Sequence, residues 1–139
     1  MLTTPSHPVL VDSHCHLNLI DYDQLGCTMD EVVEQASQHG VGYLLCVSVD
    51  LATHHEVIAT AQRYPNVYAS VGVHPNHPVD DEPTVEALIT AARAHPKIVA
   101  IGETGLDYFR NHVAVDVQHE RFRRHIAAAK RLGKPLIIH

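Results

Sequence analysis

The sequence predicts an α/β protein organised around a parallel sheet. Five short apolar runs alternate with four longer amphipathic segments, in the order β-α-β-α-β-α-β-α-β. That regular alternation is the signature of parallel strands joined by right-handed helical crossovers. The apolar runs also lack the in–out alternation of a half-exposed strand, as expected where helices cover both faces of a sheet. No linker, low-complexity stretch or sequence repeat interrupts the 139 residues, a length suited to one domain.

The first strand is expected over 8–12 (PVLVD). A helix follows over 28–40, where Thr28 and Glu31 have capping-box spacing and Gly40 is a natural stop. The second strand is expected over 41–49 and the second helix over 51–64, ended by Pro65. The third strand covers 66–73. The third helix covers 81–95, with Pro83 tolerated in its first turn. The fourth strand covers 97–102. The fourth helix covers 115–133, with Gln118, Phe122, Ile126 and Ala129 on one face and a closing Gly133. The segment PLIIH, 135–139, is the fifth strand. Two architectures accommodate this order: an open doubly wound sheet or the first half of a (β/α)8 barrel. The open sheet should carry a Gly-rich phosphate-binding turn after its first strand, but the turn here is DSHCHLN, without glycine.

Composition narrows the function. The formal charge of −6 argues against broad electrostatic binding to nucleic acid, so a phosphate substrate would need local positive charge such as metal ions. Three cysteines without a CxxC pair favour a reducing cytoplasm over a disulfide framework. The opening MLTTPSHPVLVD lacks a basic region followed by an apolar stretch, so no secretory leader is expected, and no apolar run is long enough for a membrane span.

Thirteen histidines are the unusual feature, and their places relative to the strands matter more than their number. The first strand runs into His14 and His16, the third into His74, the fourth into Glu103 and Asp107, and the fifth ends on His139. In parallel α/β folds the chemistry gathers at the carboxyl ends of strands. Residues i and i+2 of a strand point the same way, so His14 and His16 can offer two imidazoles to one cation while Cys15 packs on the other side. Glu103 could bridge two cations roughly 3.5–4 Å apart, or equally cap a helix or pair with a base. His74, extended before Pro75, is expected in the pocket. His77 is read as surface, and His54, His55, His95, His119 and His125 as structural or solvated helix residues. Asp107 is expected to organise its loop rather than bind metal. Tyr108, Phe109 and Arg110 could line a substrate groove or simply pack the loop.

With these residues placed, the chain resembles the TatD family of metal-dependent deoxyribonucleases, within the amidohydrolase-like barrels. The motifs are LVDSHCHLN at 10–18, SVGVHPNHP at 70–78, VAIGETGLDY at 99–108 and QHERFRRHIAAAKRLGKPLIIH at 118–139. The resemblance implies a parallel (β/α)8 TIM-type barrel, here the first four βα units plus strand five. It makes 1–139 the N-terminal part of a single metallohydrolase domain. It implies a site for two divalent ions (Mg, Mn or Zn), with His14, His16 and Glu103 holding one. Glu103 bridges to a second held partly by His139, and His74 lies in the active pocket. Glu103 and His74 are thus the expected catalytic residues, and Tyr108 and Arg110 the expected substrate contacts. The implied reaction is hydrolysis of DNA phosphodiesters by cation-activated water, from single strands or 3′ ends.

The family pattern also calls for a histidine after strand six and an aspartate after strand eight, and a full barrel needs about 250 residues. The chain is therefore expected to be a fragment of a longer barrel, inactive alone as a nuclease and prone to self-association through its open sheet edges. Two other readings stand beside this one: a related barrel acting on another ester, lactone or amide, and a non-catalytic half barrel acting as an interaction module.

Overall fold

The computed structural model describes residues 9–139. The start of the expected first strand at Pro8, and most of the segment read for a leader, lie outside the described residues.

Strand β1 spans Leu10–Cys15 and leads through a 3-10 turn at Leu17–Leu19 to a short helix α1, Tyr22–Leu25. Neither was expected from the sequence. The N-cap Asp21, whose carboxylate accepts from the Gln24 amide, and Gly26 in the left-handed region at φ 72° are the local signals that place α1. Helix α2 spans Met29–Gln38 and begins with the expected capping box. The Thr28 side chain accepts from Glu31 N at 3.2 Å, and the Glu31 carboxylate accepts from Thr28 N at 2.7 Å. The rest of the chain is β2 Val41–Cys46, α3 His54–Arg63, β3 Val67–Val71, α4 Val85–Arg93, β4 Ile98–Thr104, α5 Val115–Leu132 and β5 Leu136–Ile138.

Pro83 does not enter the first turn of α4 as expected. Thr84 takes the N-cap, accepting from Ala87 N at 3.0 Å, and the proline precedes it.

The five strands form one parallel sheet in the order β1-β2-β3-β4-β5. Sequential neighbours with helical crossovers are the order of a barrel wall; a doubly wound sheet would reverse at a switch point. The core lies between the sheet and the helices, built on Leu44, Val57, Val67, Val71, Leu88, Ile98 and Ile101, all almost fully buried. Gly72, just past the end of β3, packs directly against Gly102 of β4. A side chain at Gly72 would sit 2.7 Å from the Gly102 backbone, so only glycine lets β3 and β4 meet there.

Burial corrects the expectation that every strand is covered. β3 and β4 are, but β1 is exposed along most of its length, with Leu10 and Val11 each more than 60% accessible. As an edge strand it has a neighbour on one side only. The face of α5 also differs from the one expected. Phe122 and Ile126 are only half-buried, and the buried stripe runs through Gln118, Arg121, His125, Ala128 and Ala129. Among the described residues no helix is long and apolar enough to cross a membrane.

Candidate metal centre

The site sits where the strand ends meet, and backbone pairing carries on past the regular strands to hold it. Val47 N donates to Cys15 O at 2.8 Å, His74 N to Val49 O at 2.8 Å, Glu103 N to Ser48 O at 2.8 Å and His139 N to Thr104 O at 2.7 Å. Ser70 Oγ donates to Gly102 O at 2.7 Å and accepts from Ser48 N at 3.1 Å, which ties three strand ends beneath the carboxylate. His74, Glu103 and His139 are therefore fixed through their own backbone amides, and His14 and His16 through Cys15 between them.

Glu103, 5% exposed, is the centre. Its Oε2 lies 3.2 Å from His14 Nε2 and 3.4 Å from His16 Nε2. Its Oε1 lies 2.8 Å from His139 Nδ1 and 3.7 Å from His74 Nε2. The carboxylate thus divides four histidines into two pairs, one at each oxygen. In each resulting triad, His14–His16–Glu103 and His74–Glu103–His139, the donor atoms lie within 4.8 Å of one another. Burial works to raise the Glu103 carboxyl, but the hydrogen bonds from His16 and His139 and the neighbouring His14 and His74 outweigh it and hold it down at about 2. It is an anion at any physiological pH.

Hydrogen bonds sort the histidines by which nitrogen is free. His16 Nδ1 lies 2.9 Å from Val47 O, so Nδ1 carries a proton and Nε2 is the atom turned toward Glu103, donating to it when the ring is charged and free to ligate a cation when it is neutral. Its hydrogen bond to Glu103 raises the His16 pKa, although burial opposes this. His139 Nε2 lies 2.9 Å from Asp107 Oδ2, which places a carboxylate behind the ring and Nδ1 toward Glu103. His74 is the reverse case. Its Nδ1 accepts from Asn76 N at 3.1 Å, so the neutral ring carries its proton on Nε2, the atom facing Glu103 and His139. Burial lowers the His74 pKa and favours that neutral form. His74 is thus set as a hydrogen-bond donor, whereas His16 and His139 are held from behind so that Nε2 and Nδ1, which donate to Glu103 in the cation-free site, would be free to ligate a cation that displaced those protons.

Asp107 does what was expected and more. Its Oδ1 accepts from the Phe109 and Arg110 amides at 3.1 Å each, which shapes the loop. The Arg110 amide is the largest influence lowering its pKa, and the His139 hydrogen bond acts in the same sense. Its other oxygen orients His139, a role the sequence did not reveal. Asn76 was also missed. It donates to Asp107 O at 3.1 Å, accepts from His112 N at 2.9 Å and, through its own amide, fixes the His74 tautomer. Its position two residues after His74 in GVHPN was the available signal.

An open cleft of about 620 Å³ lies over these groups, lined by His16, His74, Glu103, Arg110, His112 and His139 among others. His77 also lines it and lies 3.2 Å from the buried Asp50 carboxylate, so it is not the free surface residue expected. Arg110 faces the cleft, while Tyr108 does not line it and pairs instead with His119 Nε2 at 2.6 Å. Phe109 is almost wholly exposed. His125, read as structural or solvated, is fully buried.

The donor set fits divalent cations. Mixed imidazole and carboxylate ligands suit Zn or Mn, and an anionic carboxylate with open positions suits Mg or Mn. A carboxylate shared by two triads is also the arrangement that lets two cations lie side by side.

Known proteins share this fold and much of this sequence. The family described as TatD related DNase matches residues 11–139. A Bacillus subtilis protein named uncharacterized metal-dependent hydrolase YabD is 38% identical over 131 residues, covering 94% of this chain and 50% of that protein. The Salmonella typhimurium protein named 3'-5' ssDNA/RNA exonuclease TatD is 33% identical over 110 residues, covering 79% of this chain and 42% of that one. The crystal structure of YJJV, a TatD homolog from Escherichia coli K12, superposes with a TM-score of 0.78 at 29% identity, over 93% of this chain and 49% of that one. The chain spans about half the length of the curated relatives it matches. The fold is accordingly that of a TIM-type (β/α)8 barrel, of which these residues form the first four βα units and strand five. With two triads meeting at Glu103 and the family motifs matched along nearly its whole length, this chain belongs to the TatD-related DNase family.

Proposed function

We propose that these residues form part of a two-cation centre that hydrolyses phosphodiester bonds, with a nucleic-acid strand end as substrate. One observation carries the reading: the two oxygens of Glu103 each face a separate pair of histidines. His14 and His16 with Oε2 would hold one divalent ion, and His139 with Oε1 part of a second. Bound cations would supply a nucleophile at neutral pH and neutralise charge gathering at phosphorus.

The chain's own side chains supply the rest. Asp107 holds His139 in place, and Val47 O holds His16. His74 presents an N–H to an oxygen of the substrate. Arg110, at the cleft mouth, pairs with a neighbouring phosphate. Only a few nucleotides need be gripped, which reconciles the substrate with the net charge of −6. The name of the Salmonella typhimurium relative supports single-stranded nucleic acid attacked from the 3′ end. The three free thiols suit the reducing cytoplasm.

The test has two parts. Calorimetric titration of the 139-residue chain with Mn²⁺ or Zn²⁺ should show binding that Glu103→Gln removes; wild-type protein without binding would refute the centre. The product of the complete reading frame should release nucleotides from the 3′ end of a single-stranded oligonucleotide with Mg²⁺ or Mn²⁺. The 139-residue chain alone should not. Turnover of a lactone or small ester with no action on the oligonucleotide would replace the substrate and keep the centre.

A further inference from the structure

Helix α5 carries three buried polar side chains, Gln118, Arg121 and His125, none more than 2% exposed. Their i, i+3, i+7 spacing puts them on one stripe, and each reaches a loop of the metal centre. Gln118 clasps the Asp107 loop. Its Nε2 donates to Asp107 O at 3.0 Å and Val113 O at 2.8 Å, and its Oε1 accepts from Asp107 N at 2.8 Å. His125 Nε2 accepts from Val73 N at 2.9 Å. Arg121 lies between them.

One edge of the Arg121 guanidinium donates to Glu82, with Nε at 2.8 Å and Nη2 at 2.5 Å. Its Nη1 points to three backbone carbonyls, His74 O at 2.6 Å, His77 O at 2.9 Å and Pro75 O at 3.3 Å. Three carbonyl dipoles converging inside a protein repel one another unless a donor sits between them. Their convergence curls residues 74–77 into the turn that brings Asn76 N under His74 Nδ1. Among the described residues no other cationic side chain donates to these carbonyls.

We propose that Arg121, with its charge balanced by Glu82, is a positioning residue for the metal centre. It fixes the 74–77 turn and so keeps the His74 proton on Nε2, facing the shared carboxylate. Arg121 touches neither Glu103 nor the cleft and acts only through this turn. The role rests on the reading of His74 as a donor in the proposed hydrolysis.

The test is made on the cation-free 139-residue chain by NMR. Long-range ¹H–¹⁵N spectra report which nitrogen of His74 bears the proton, with His74→Gln assigning the signal. Hydrogen exchange of the Asn76 amide reports the turn. Wild type should show Nε2–H and a protected Asn76 amide; a proton on Nδ1 overturns the proposal outright. The double variant Arg121→Met/Glu82→Met removes both charges and keeps an apolar fill, which preserves stability at many buried pairs. Its Asn76 amide should exchange about tenfold faster or more, the loss of roughly one hydrogen bond, and its His74 should become a tautomer mixture. Arg121→Lys keeps the charge but not the planar fork, so it should not rescue either signal. It decides the matter alone if the double variant does not fold. Wild-type tautomer and protection in either variant would overturn the proposal. A Zn²⁺ titration of wild type is run beside it. Its failure would sink the metal centre while leaving the Arg121 result to stand on the cation-free spectra.

Discussion

Acidification should weaken this fold through His125 before the carboxylates of the site respond. The ring is wholly buried, with Nδ1–H donating to Arg121 O at 2.7 Å and Nε2 accepting from Val73 N at 2.9 Å. A second proton has no place, because Nε2 already accepts an amide and the Arg121 guanidinium is near. Burial, followed by that charge, pushes the His125 pKa from 6.5 down to about 4. The unfolded chain therefore binds a proton in this window that the folded chain refuses. Unfolding free energy is at its full value above about pH 6.5, falls as pH drops toward 4, and levels off below. A gap of about 2.5 pKa units at 1.36 kcal/mol each gives about 3 kcal/mol, a large share of an ordinary domain's 5–15 kcal/mol. The assay is urea unfolding of wild type and His125→Gln at several pH values between 4 and 7.5. Glutamine keeps an acceptor for Val73 N and does not titrate, so the variant should be less stable at pH 7 by about 1–2 kcal/mol and lack the slope. Burial also lowers His54, and the difference between the two proteins removes that contribution. A difference that is flat between pH 4 and 6.5, or that grows toward acid, would refute the buried neutral ring.

Three further outcomes are expected. Asp107→Asn keeps an oxygen for the Phe109 and Arg110 amides but loses the acceptor facing His139, so Zn²⁺ affinity measured by calorimetry should fall about 10–100-fold with the fold intact. Unchanged affinity would remove Asp107 from the centre. Gly72→Ala places a methyl group 2.7 Å from the Gly102 backbone and should cost about 3 kcal/mol in denaturant unfolding; a cost under about 1 kcal/mol would mean that the strands part easily. Thr28→Ala removes the capping box of α2 and should cost about 1 kcal/mol by the same method, with cation binding untouched.

The sequence by itself determined the alternation of strands and helices and the candidate ligands. Alternating apolar and amphipathic segments require parallel strands with crossovers, and a strand's period of two puts His14 and His16 on one side. Capping at Thr28 and the stop at Gly133 were local enough to read directly, because their partners lie within a turn in the chain. Tertiary structure alone decided how those residues divide the work. Glu103 could have capped a helix; it became the shared carboxylate because strand order brings β1, β3 and β5 around β4. His74 and His139 are the same residue type at equivalent strand ends, yet the Asn76 amide takes His74 Nδ1 and the Asp107 carboxylate takes His139 Nε2, so opposite ring nitrogens face Glu103. Buried stripes of polar residues escaped the reading for the same reason. Arg121 and His125 look like surface residues in a helix pattern, and only carbonyls and amides from a loop some fifty positions away make their burial favourable. Periodicity reports which face a side chain takes within its own element. It carries no information about a polar partner that arrives from elsewhere in the chain.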